Sequence, residues 1–437
     1  MIVIGPYVRM RRGDADTQTA HAVRHSEARL DEAKGLARAI DLVVVDALVA
    51  PLGQIRPATY LGKGKVEEIL GLIKGNDIEL VVMDCALSPI QQRNLEKEWS
   101  TKVVDRTGLI LEIFGRRAKT KEGALQVELA HLNYQRSRLV RSWTHLERQR
   151  GGFGFMGGPG ETQIEADRRL IGERITRLEN ELKKVQATRR LHRAGRQRVP
   201  YRVVALVGYT NAGKSTLFNR LTRADVQAAD MLFATLDPTL RSLNLPHGGK
   251  AMLSDTVGFI SNLPTQLVAA FRATLEEVLE ADIILHVRDI SHEDAEAQER
   301  DVDAVLRQLG IDPAAGASQR LIEVWNKIDR FDPDERENLR NIAARRPPER
   351  PCYLVSAVSG EGIDALLAAI EDHLASKRTT LDLSIDAADG AGISWLHRNS
   401  EVLIKELHEG HFDMTVRVDE TKRDIVVNRF AAVPHVA

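Results

Sequence analysis

The segment GYTNAGKS at residues 208–215 decides how the centre of this chain folds. It matches the pattern of a glycine, four residues, a second glycine, lysine and serine or threonine, and it lies between an apolar run and a helical run. Glycines there let backbone N–H groups turn towards phosphate, and the helix N-terminus adds the positive end of its dipole. The pattern predicts a phosphate-binding loop, with Lys214 on the β- and γ-phosphates of a nucleotide and the Ser215 hydroxyl on Mg²⁺.

The segment DTVG at residues 255–258 follows the next predicted strand. At the end of such a strand, the Asp255 carboxylate can bind Mg²⁺ through water, and the N–H of Gly258 can detect a γ-phosphate. The segment FATLDPT at 233–239 lies between the two motifs. A loop at this place must offer a threonine hydroxyl to the metal, and spacing leaves both Thr235 and Thr239 open.

Two later motifs indicate which base is bound. NKID at residues 326–329 follows a further predicted strand, and the Asp329 carboxylate can accept two hydrogen bonds from guanine. Adenine would leave that carboxylate unpaired, which is a strong basis for discrimination. Ser356 and Ala357 end the last strand and offer a backbone N–H to the guanine oxygen. Together, the four motifs in this order predict a GTPase that converts GTP and water to GDP and phosphate.

The residue after Gly258 bears on the rate of hydrolysis. Many GTPases place a glutamine there to orient the attacking water, whereas this chain has Phe259, whose ring cannot hydrogen-bond to water. We therefore expect hydrolysis that is slow alone and stimulated by a partner. Asn211 in the phosphate-binding loop could help to bind K⁺, which would take the place of a missing arginine.

The basic residues of the chain are concentrated in one region. Residues 101–200 contain 22 Lys and Arg against 11 Asp and Glu, although the whole chain has a net charge of −1. Apolar residues spaced by four and three from Leu125 and again from Ile171 predict two coiled-coil helices, joined by a loop at 151–160 that contains six glycines. This basic hairpin is suited to folded RNA. The candidate contacts are Arg136, Arg138, Arg141, Arg148, Arg150, Phe153 and Phe155.

The composition of the 437-residue chain excludes several classes of protein. Apolar residues make up 43% and charged residues 28%, and the two cysteines are too few for a disulfide framework or a metal site. No apolar stretch reaches the roughly 20 residues of a membrane span, and the N-terminus does not have the charge order of a secretory signal. We expect a cytoplasmic monomer, with peripheral membrane association left open.

The order of apolar patterns predicts an α/β protein with four domains. These are a small α/β domain at 1–118, a coiled-coil helical hairpin at 119–198, a P-loop GTPase domain with a doubly wound, mainly parallel sheet at 199–376, and a small α+β cap at 381–437. Within the first domain, a strand is predicted at 42–49. In the cap, the patterns predict a helix at 400–408 and strands at 414–418 and 425–427.

On these segments the chain resembles the HflX family of ribosome-associated GTPases. The resemblance is carried by the motifs above, by GGPGETQIEADRR at residues 157–169 and by ATYLGKGKVEEI at 58–69. It implies that Thr235 supplies the second metal hydroxyl. It also implies that the partners are the large (50S) ribosomal subunit and its RNA, with no DNA, and that the task is splitting stalled ribosomes under stress.

Motifs and resemblance together give the expected site. Lys214, Thr235 and Gly258 are expected to act in catalysis, and Ser215 and Thr235 to bind Mg²⁺. The residues expected around GTP or GDP are Gly208, Tyr209, Thr210, Asn211, Ala212, Gly213, Lys214, Ser215, Phe233, Ala234, Thr235, Leu236, Asp237, Asp255, Thr256, Val257, Gly258, Asn326, Lys327, Ile328, Asp329, Ser356, Ala357 and Val358.

Two other functions stay open at this point. One is a GTPase that assists tRNA or rRNA modification or ribosome assembly, for which a reactive cysteine near the C-terminus would be expected, and the last residues contain none. The other is a regulatory binding protein that recruits a protease or a membrane complex, with the nucleotide only stabilising its fold.

Overall fold

The computed structural model describes residues 1–8, 26–118, 120–149, 159–196, 202–223, 233, 239–247, 249–261, 277–311, 320–347, 350–375, 378–408 and 410–434. The chain divides into two compact units, residues 1–243 with 250–363, and residues 244–249 with 364–437. Among the described helices, none combines the length and the apolar character needed to cross a membrane. The division into four domains stays a prediction.

The first unit begins with a four-stranded parallel sheet. Its strands are β1 (Ile2–Val8), β2 (Asp46–Leu52), β3 (Leu80–Met83) and β4 (Lys102–Asp105), in the order β2-β1-β3-β4. The strand predicted at 42–49 is wrong in its bounds, because Val43 and Val45 lie exposed before the first residue that pairs with β1. The helices of this part are α1 (Ser26–Arg38), α2 (Lys63–Gly75), α3 (Pro89–Trp99) and α4 (Arg106–Arg117).

Two long helices follow, α5 (Lys121–Gln149) and α6 (Pro159–Arg196). The second begins at Pro159, a residue whose fixed φ suits the first turn of a helix. Leu125, Ile175 and Leu178 are buried, whereas most other described side chains of α6 are exposed. Near the start of α5, Val127 and Ala130 join the same buried cluster as residues of α4. We call this first part of α5, residues 121–138, the hairpin root.

A six-stranded sheet forms the centre of the first unit. Its strands are β5 (Arg202–Gly208), β6 (Thr239–Asn244), β7 (Lys250–Asp255), β8 (Ile283–Asp289), β9 (Leu321–Asn326) and β10 (Cys352–Leu354), in the order β10-β9-β8-β5-β7-β6. The pairings of β5 with β7 and β8, and of β9 with β8 and β10, are parallel. Helices α7 (Lys214–Thr222), α8 (Ala295–Gln308) and α9 (Pro333–Ala344) belong to this part of the chain. The predicted doubly wound, mainly parallel α/β class is confirmed, and such sheets bind ligands at the carboxyl ends of their strands.

The second unit contains helix α10 (Ile363–Ala375) and a four-stranded sheet. Its further elements are β11 (Arg378–Asp386), α11 (Gly390–Asn399), β12 (Glu401–His408), β13 (His411–Asp419), α12 (Glu420–Phe430) and β14 (Val433–Pro434), and the sheet order is β12-β13-β11-β14. The strand predicted at 414–418 lies within β13.

Two other predictions for this unit are wrong. The helix predicted at 400–408 is strand β12, which pairs antiparallel with β13 across a tight turn, with a register shift between Val402 and Ile404. The strand predicted at 425–427 lies within α12, where Val426 is buried and its neighbour Ile425 is half exposed, as on the two faces of a helix.

Candidate nucleotide-binding site

The phosphate-binding loop connects β5 to α7. Gly213 precedes the helix with a φ of 88°, in the left-handed region that favours glycine. A Cβ atom at Gly213 would lie 2.2 Å from Nδ2 of Asn326, and one at Gly208 would lie 2.2 Å from the carbonyl oxygen of Val287. Both glycines are therefore required by the close approach of neighbouring strands and loops.

Lys214 is buried at the start of α7. Its Nζ donates to the carbonyl oxygen of Tyr209 at 2.7 Å. Burial lowers the pKa of Lys214 from 10.5 to about 8, and the nearby Asp255 carboxylate offsets only part of that effect. The anionic phosphates of a nucleotide would favour the charged form of this lysine.

Ser215 and Asp255 bring two oxygen groups together. The Ser215 Oγ donates to Oδ2 of Asp255 at 2.8 Å. A hydroxyl beside a carboxylate is a set of hard oxygen donors, which fits Mg²⁺. Nearby, Thr256 Oγ1 donates to the carbonyl oxygen of Leu206 at 2.5 Å and so holds the segment after β7 against β5.

The segment at Gly258 and Phe259 lies directly on the phosphate-binding loop. The N–H of Thr210 donates to the carbonyl oxygen of Phe259 at 2.7 Å, and the N–H of Phe259 donates to Gly208 at 3.0 Å. A Cβ atom at Gly258 would lie 3.0 Å from Nζ of Lys214, so glycine keeps this space open. The Phe259 ring is buried with the core residues Val257 and Ile260.

Asn326 joins the phosphate side of the site to the base side. Its Nδ2 donates to the carbonyl oxygen of Ala212 at 2.8 Å, and its Oδ1 accepts from the N–H of Ala357 at 3.0 Å. Since Asn326 is 1% exposed, these are buried hydrogen bonds. They place the phosphate-binding loop and the loop after β10 at one edge of the sheet.

The remaining residues of the base side follow Asn326. Lys327 has a φ of 68°, and its Nζ donates to Oδ2 of Asp289 at 2.7 Å. Asp329 is exposed, and its Oδ1 accepts from the Ser356 Oγ at 2.6 Å, which orients the carboxylate. Ile328 is buried and Val358 is exposed.

The segment predicted to supply the second metal hydroxyl falls largely outside the described residues. Ala234, Thr235, Leu236 and Asp237 lie there, whereas Thr239 is the first residue of β6. The Phe233 ring is buried, with its centroid 4.7 Å from that of Phe114 in an edge-to-face arrangement. Its side chain is thus used in packing against α4.

A cavity of about 560 Å³ lies beside the phosphate-binding loop. Tyr209, Thr210 and Asn211 line it from the loop, and six of the other lining residues are acidic. These carboxylates come from α1, from the end of β8 and from the segment after it: Glu27, Asp31, Glu32, Asp289, Glu293 and Asp294. No motif singles out the α1 carboxylates, so the sequence did not reveal that α1 borders the nucleotide site.

The hairpin residues predicted to contact RNA differ in their surroundings. Arg136 is exposed on α5. Arg138 is half-buried, its Nη2 donates to Oδ2 of Asp105 at 2.7 Å, and its guanidinium lies 4.2 Å from the centroid of the Tyr134 ring. Its contact with RNA stays a prediction. The side chains of the other candidates lie outside the described residues: Arg141, Arg148, Arg150, Phe153 and Phe155.

Comparison with known protein families assigns most of the chain. The four matching families are described as GTP-binding GTPase N-terminal (residues 27–115), GTP-binding GTPase Middle Region (117–196), 50S ribosome-binding GTPase (203–327) and HflX C-terminal domain (342–436).

Individual relatives agree with this assignment. A GTPase HflX of Magnetococcus marinus is 50% identical over 391 residues, which cover 90% of this chain and 87% of the relative. GTPase HflX of Escherichia coli is 46% identical and covers 76% of each chain. Among solved structures, a GTP-binding protein of Sulfolobus solfataricus in complex with GDP is 22% identical, with a TM-score of 0.44, and covers 85% of this chain and 97% of that one.

Proposed function

This chain belongs to the HflX family of GTPases, and from that membership we propose that it is a switch that binds the large ribosomal subunit in its GTP state and splits stalled ribosomes under stress. The observation that carries the nucleotide part is the Asn326 side chain, which joins Ala212 to Ala357 across the site. The positive charge of residues 101–200 supports the RNA part.

Each residue of the site is proposed to have a role in binding or hydrolysing GTP. Lys214 is to neutralise the β- and γ-phosphate oxygens, and the N–H of Gly258 is to donate to the γ-phosphate. Ser215 and Thr235 would hold Mg²⁺, with Asp255 acting through water, and the metal would stabilise the charge that develops on the phosphate oxygens. Asp329 is to accept two hydrogen bonds from guanine.

Hydrolysis requires a water molecule in line with the γ-phosphate. Phe259 follows Gly258 where a glutamine would orient that water, and its ring is buried in the core. The described side chains at this position therefore offer no group for the task, and we expect a ribosomal partner to complete the site. The measurable consequence is slow turnover that large subunits accelerate.

A monovalent cation is a second component of the proposal. Asn211 has a φ of 61° and lines the acidic cavity beside the phosphate-binding loop. An amide oxygen and nearby carboxylates suit K⁺, whose charge would replace that of an arginine. Turnover should be faster in K⁺ than in Na⁺ buffer, and Asn211→Ala should remove the difference. Equal turnover in the two buffers would remove this component.

The proposal is tested by sedimentation with purified ribosomal subunits. The wild type should sediment with large subunits in a non-hydrolysable GTP analogue and much less in GDP. Lys214→Ala should lose nucleotide binding and the difference with it. Lys74→Ala, which removes an exposed lysine at the end of α2, should behave as the wild type. Nucleotide-independent sedimentation by Lys214→Ala at the wild-type level would refute the switch.

Splitting is a separate step and needs its own assay. Mixing assembled ribosomes with the protein should lower light scattering as the subunits separate, provided that GTP or its analogue is present. If large subunits bind the protein but light scattering stays constant, the result supports the ribosome interaction and refutes the splitting role.

A further inference from the structure

Side chains of helices α1 and α4, which accompany the four-stranded sheet, bond directly to residues of the nucleotide site. The hydroxyl of Tyr209, the second residue of the phosphate-binding loop, donates to Glu32 of α1 and accepts from the N–H of Ser261 at 2.7 Å. The Ser261 Oγ donates to Oε1 of Glu32 at 3.0 Å. Since Ser261 lies three residues after Gly258, one carboxylate of α1 holds both the phosphate-binding loop and the segment that is to detect the γ-phosphate.

Arg106 at the start of α4 adds a charged group to this cluster. Its Nη2 donates to Oγ of Ser261 at 2.9 Å and to the carbonyl oxygen of Ser261 at 3.2 Å. The same guanidinium pairs with Glu32 and Asp84. Burial alone would lower the pKa of Arg106, but the two carboxylates outweigh it and hold the pKa above its usual range. The group is therefore a buried cation with fixed partners.

The preceding residue, Asp105, bonds to the hairpin root. Its Oδ1 accepts from the Tyr134 hydroxyl at 2.6 Å, and its Oδ2 accepts from Nη2 of Arg138 at 2.7 Å. It also accepts from the N–H groups of Leu87 and Gly108. Because Asp105 is 1% exposed, water does not replace any of these donors. Adjacent residues thus hold the nucleotide site on one side and α5 on the other.

We propose that the Asp105–Arg106 pair couples the nucleotide site to the hairpin. In this proposal Arg106 is a positioning residue for the segment after Gly258, and Asp105 transmits a displacement of that segment to α5. This inference rests on the proposed switch function. A γ-phosphate orders the segments that contact it. If Ser261 moves with Gly258, Arg106 moves too, because the buried guanidinium has no water to bond in place of Ser261. One planar peptide joins Arg106 to Asp105, so the displacement reaches Asp105.

The length of α5 makes a small displacement effective. About 15 residues separate Tyr134 from the end of α5, which at 1.5 Å per residue is about 22 Å. A small rotation at the hairpin root therefore becomes a larger shift at the far end, close to the glycine-rich loop. The basic face would be presented differently in the GTP and GDP states.

Amide hydrogen exchange tests the coupling without a ribosome. In the wild type, protection of α5 should differ between the GTP analogue and GDP. Tyr134→Phe removes only the hydroxyl that donates to Asp105. Ser261→Ala removes only the Oγ atom to which Arg106 donates. Both should reduce the difference at α5, since Asp105 keeps Arg138 and Arg106 keeps the carbonyl oxygen of Ser261, while protection of the phosphate-binding loop still responds to the analogue. Ser137→Ala, which loses a hydroxyl bonded within α5 itself, is the matched control.

A binding measurement complements the exchange data. The affinity of the wild type for large subunits should differ between analogue and GDP by about 5- to 150-fold, the usual range for coupled sites. Tyr134→Phe should lower this ratio while its nucleotide affinity stays unchanged. A Tyr134→Phe protein that keeps the full exchange difference at α5 would overturn the coupling, as would a wild type without one. A wild type with coupled exchange but no subunit binding would instead refute the proposed function.

Discussion

The nucleotide edge of the six-stranded sheet and the hairpin root both depend on buried polar groups, but those groups bond to different things. At the nucleotide edge, Asn326 bonds to a main-chain atom of the phosphate-binding loop and Thr256 to one of the neighbouring strand β5. At the hairpin root, Asp105 at the end of β4 accepts from Tyr134 and Arg138, which lie on α5 about thirty residues later. The hydrogen bonds of the first region are specified by short sequence motifs. Those of the second depend on side chains that are distant in sequence and meet only in the folded chain.

The largest effect should come from Asp329, the residue proposed to contact the base. Asp329→Ala removes the carboxylate that Ser356 orients, so the protein should lose its preference for GTP over ATP by about 10⁴-fold. Competition binding against a fluorescent GDP analogue measures this ratio. Asp334→Ala, an exposed carboxylate five residues later, should keep the preference. A preference that survives Asp329→Ala would place guanine recognition elsewhere.

Removing the amide that crosses the nucleotide edge should lower stability. Asn326→Ala leaves the carbonyl of Ala212 and the N–H of Ala357 buried without their partner. Each such group costs about 1–3 kcal/mol, so we expect the free energy of unfolding to fall by about 3 kcal/mol. Urea denaturation measures it, and the exposed Asn180→Ala on α6 serves as the control. Equal losses for the two variants would contradict the bridging role.

Two arginines at the hairpin root provide a matched pair. Arg138→Ala removes a donor from the buried Asp105 and should lower the free energy of unfolding by about 2 kcal/mol. This loss is smaller than for a fully buried ion pair, because Arg138 is partly exposed and Asp105 keeps other donors. Arg136→Ala should change it by under about 0.5 kcal/mol.

For RNA binding, we expect the order to reverse. Arg136→Ala should lower the salt dependence of subunit binding by about one unit of slope. If both variants show the same stability and the same salt slope, the two arginines do not differ in role.

A different effect should appear in the pH dependence of nucleotide binding. In the nucleotide-free protein the pKa of Lys214 is lowered to about 8, so above that pH the lysine must take up a proton to bind phosphate. Affinity for GDP should be level below about pH 8 and fall by up to about tenfold per pH unit above it. Calorimetry in two buffers of different ionisation enthalpy would detect the proton directly, and zero uptake near pH 9 would contradict the assignment.

The same lysine affects the stability of the nucleotide-free protein in the opposite sense. Between pH 8 and 10.5 the unfolded chain binds a proton that the folded chain has released. Stability contributed by this group therefore rises with pH across that window, and it is lowest below pH 8. Thermal unfolding without nucleotide should follow this trend, whereas Lys214→Met should not.

The sequence predicted the nucleotide edge well because its chemistry is local. Each motif directly follows a strand, parallel strands end at one edge, and Asn326 and Asp329 lie at that edge in the structure. Glu32, Arg106 and Ser261 could not be found in this way. They come from three distant parts of the chain, and each alone has the appearance of an ordinary polar residue on a helix or a loop.

The errors in the second unit have a related cause. Residues 402–408 have apolar side chains at spacings that suit a helix, yet antiparallel pairing with β13 makes them a strand. Residues 425–427 are β-branched and favour a strand by propensity, yet they form part of α12. In both places tertiary contacts override a weak local preference, which short patterns do not report.

The register shift within β12 has a consequence for how the protein behaves at high concentration. β12 is the outer strand of its sheet and exposes Leu403, Ile404 and Leu407, a combination on which further strands could stack into aggregates. The extra residue at the shift interrupts the regular spacing of free backbone groups, and Lys405 and Glu406 place charges beside the apolar side chains. An irregularity of one residue thus makes this exposed edge a poorer template for the pairing of further strands.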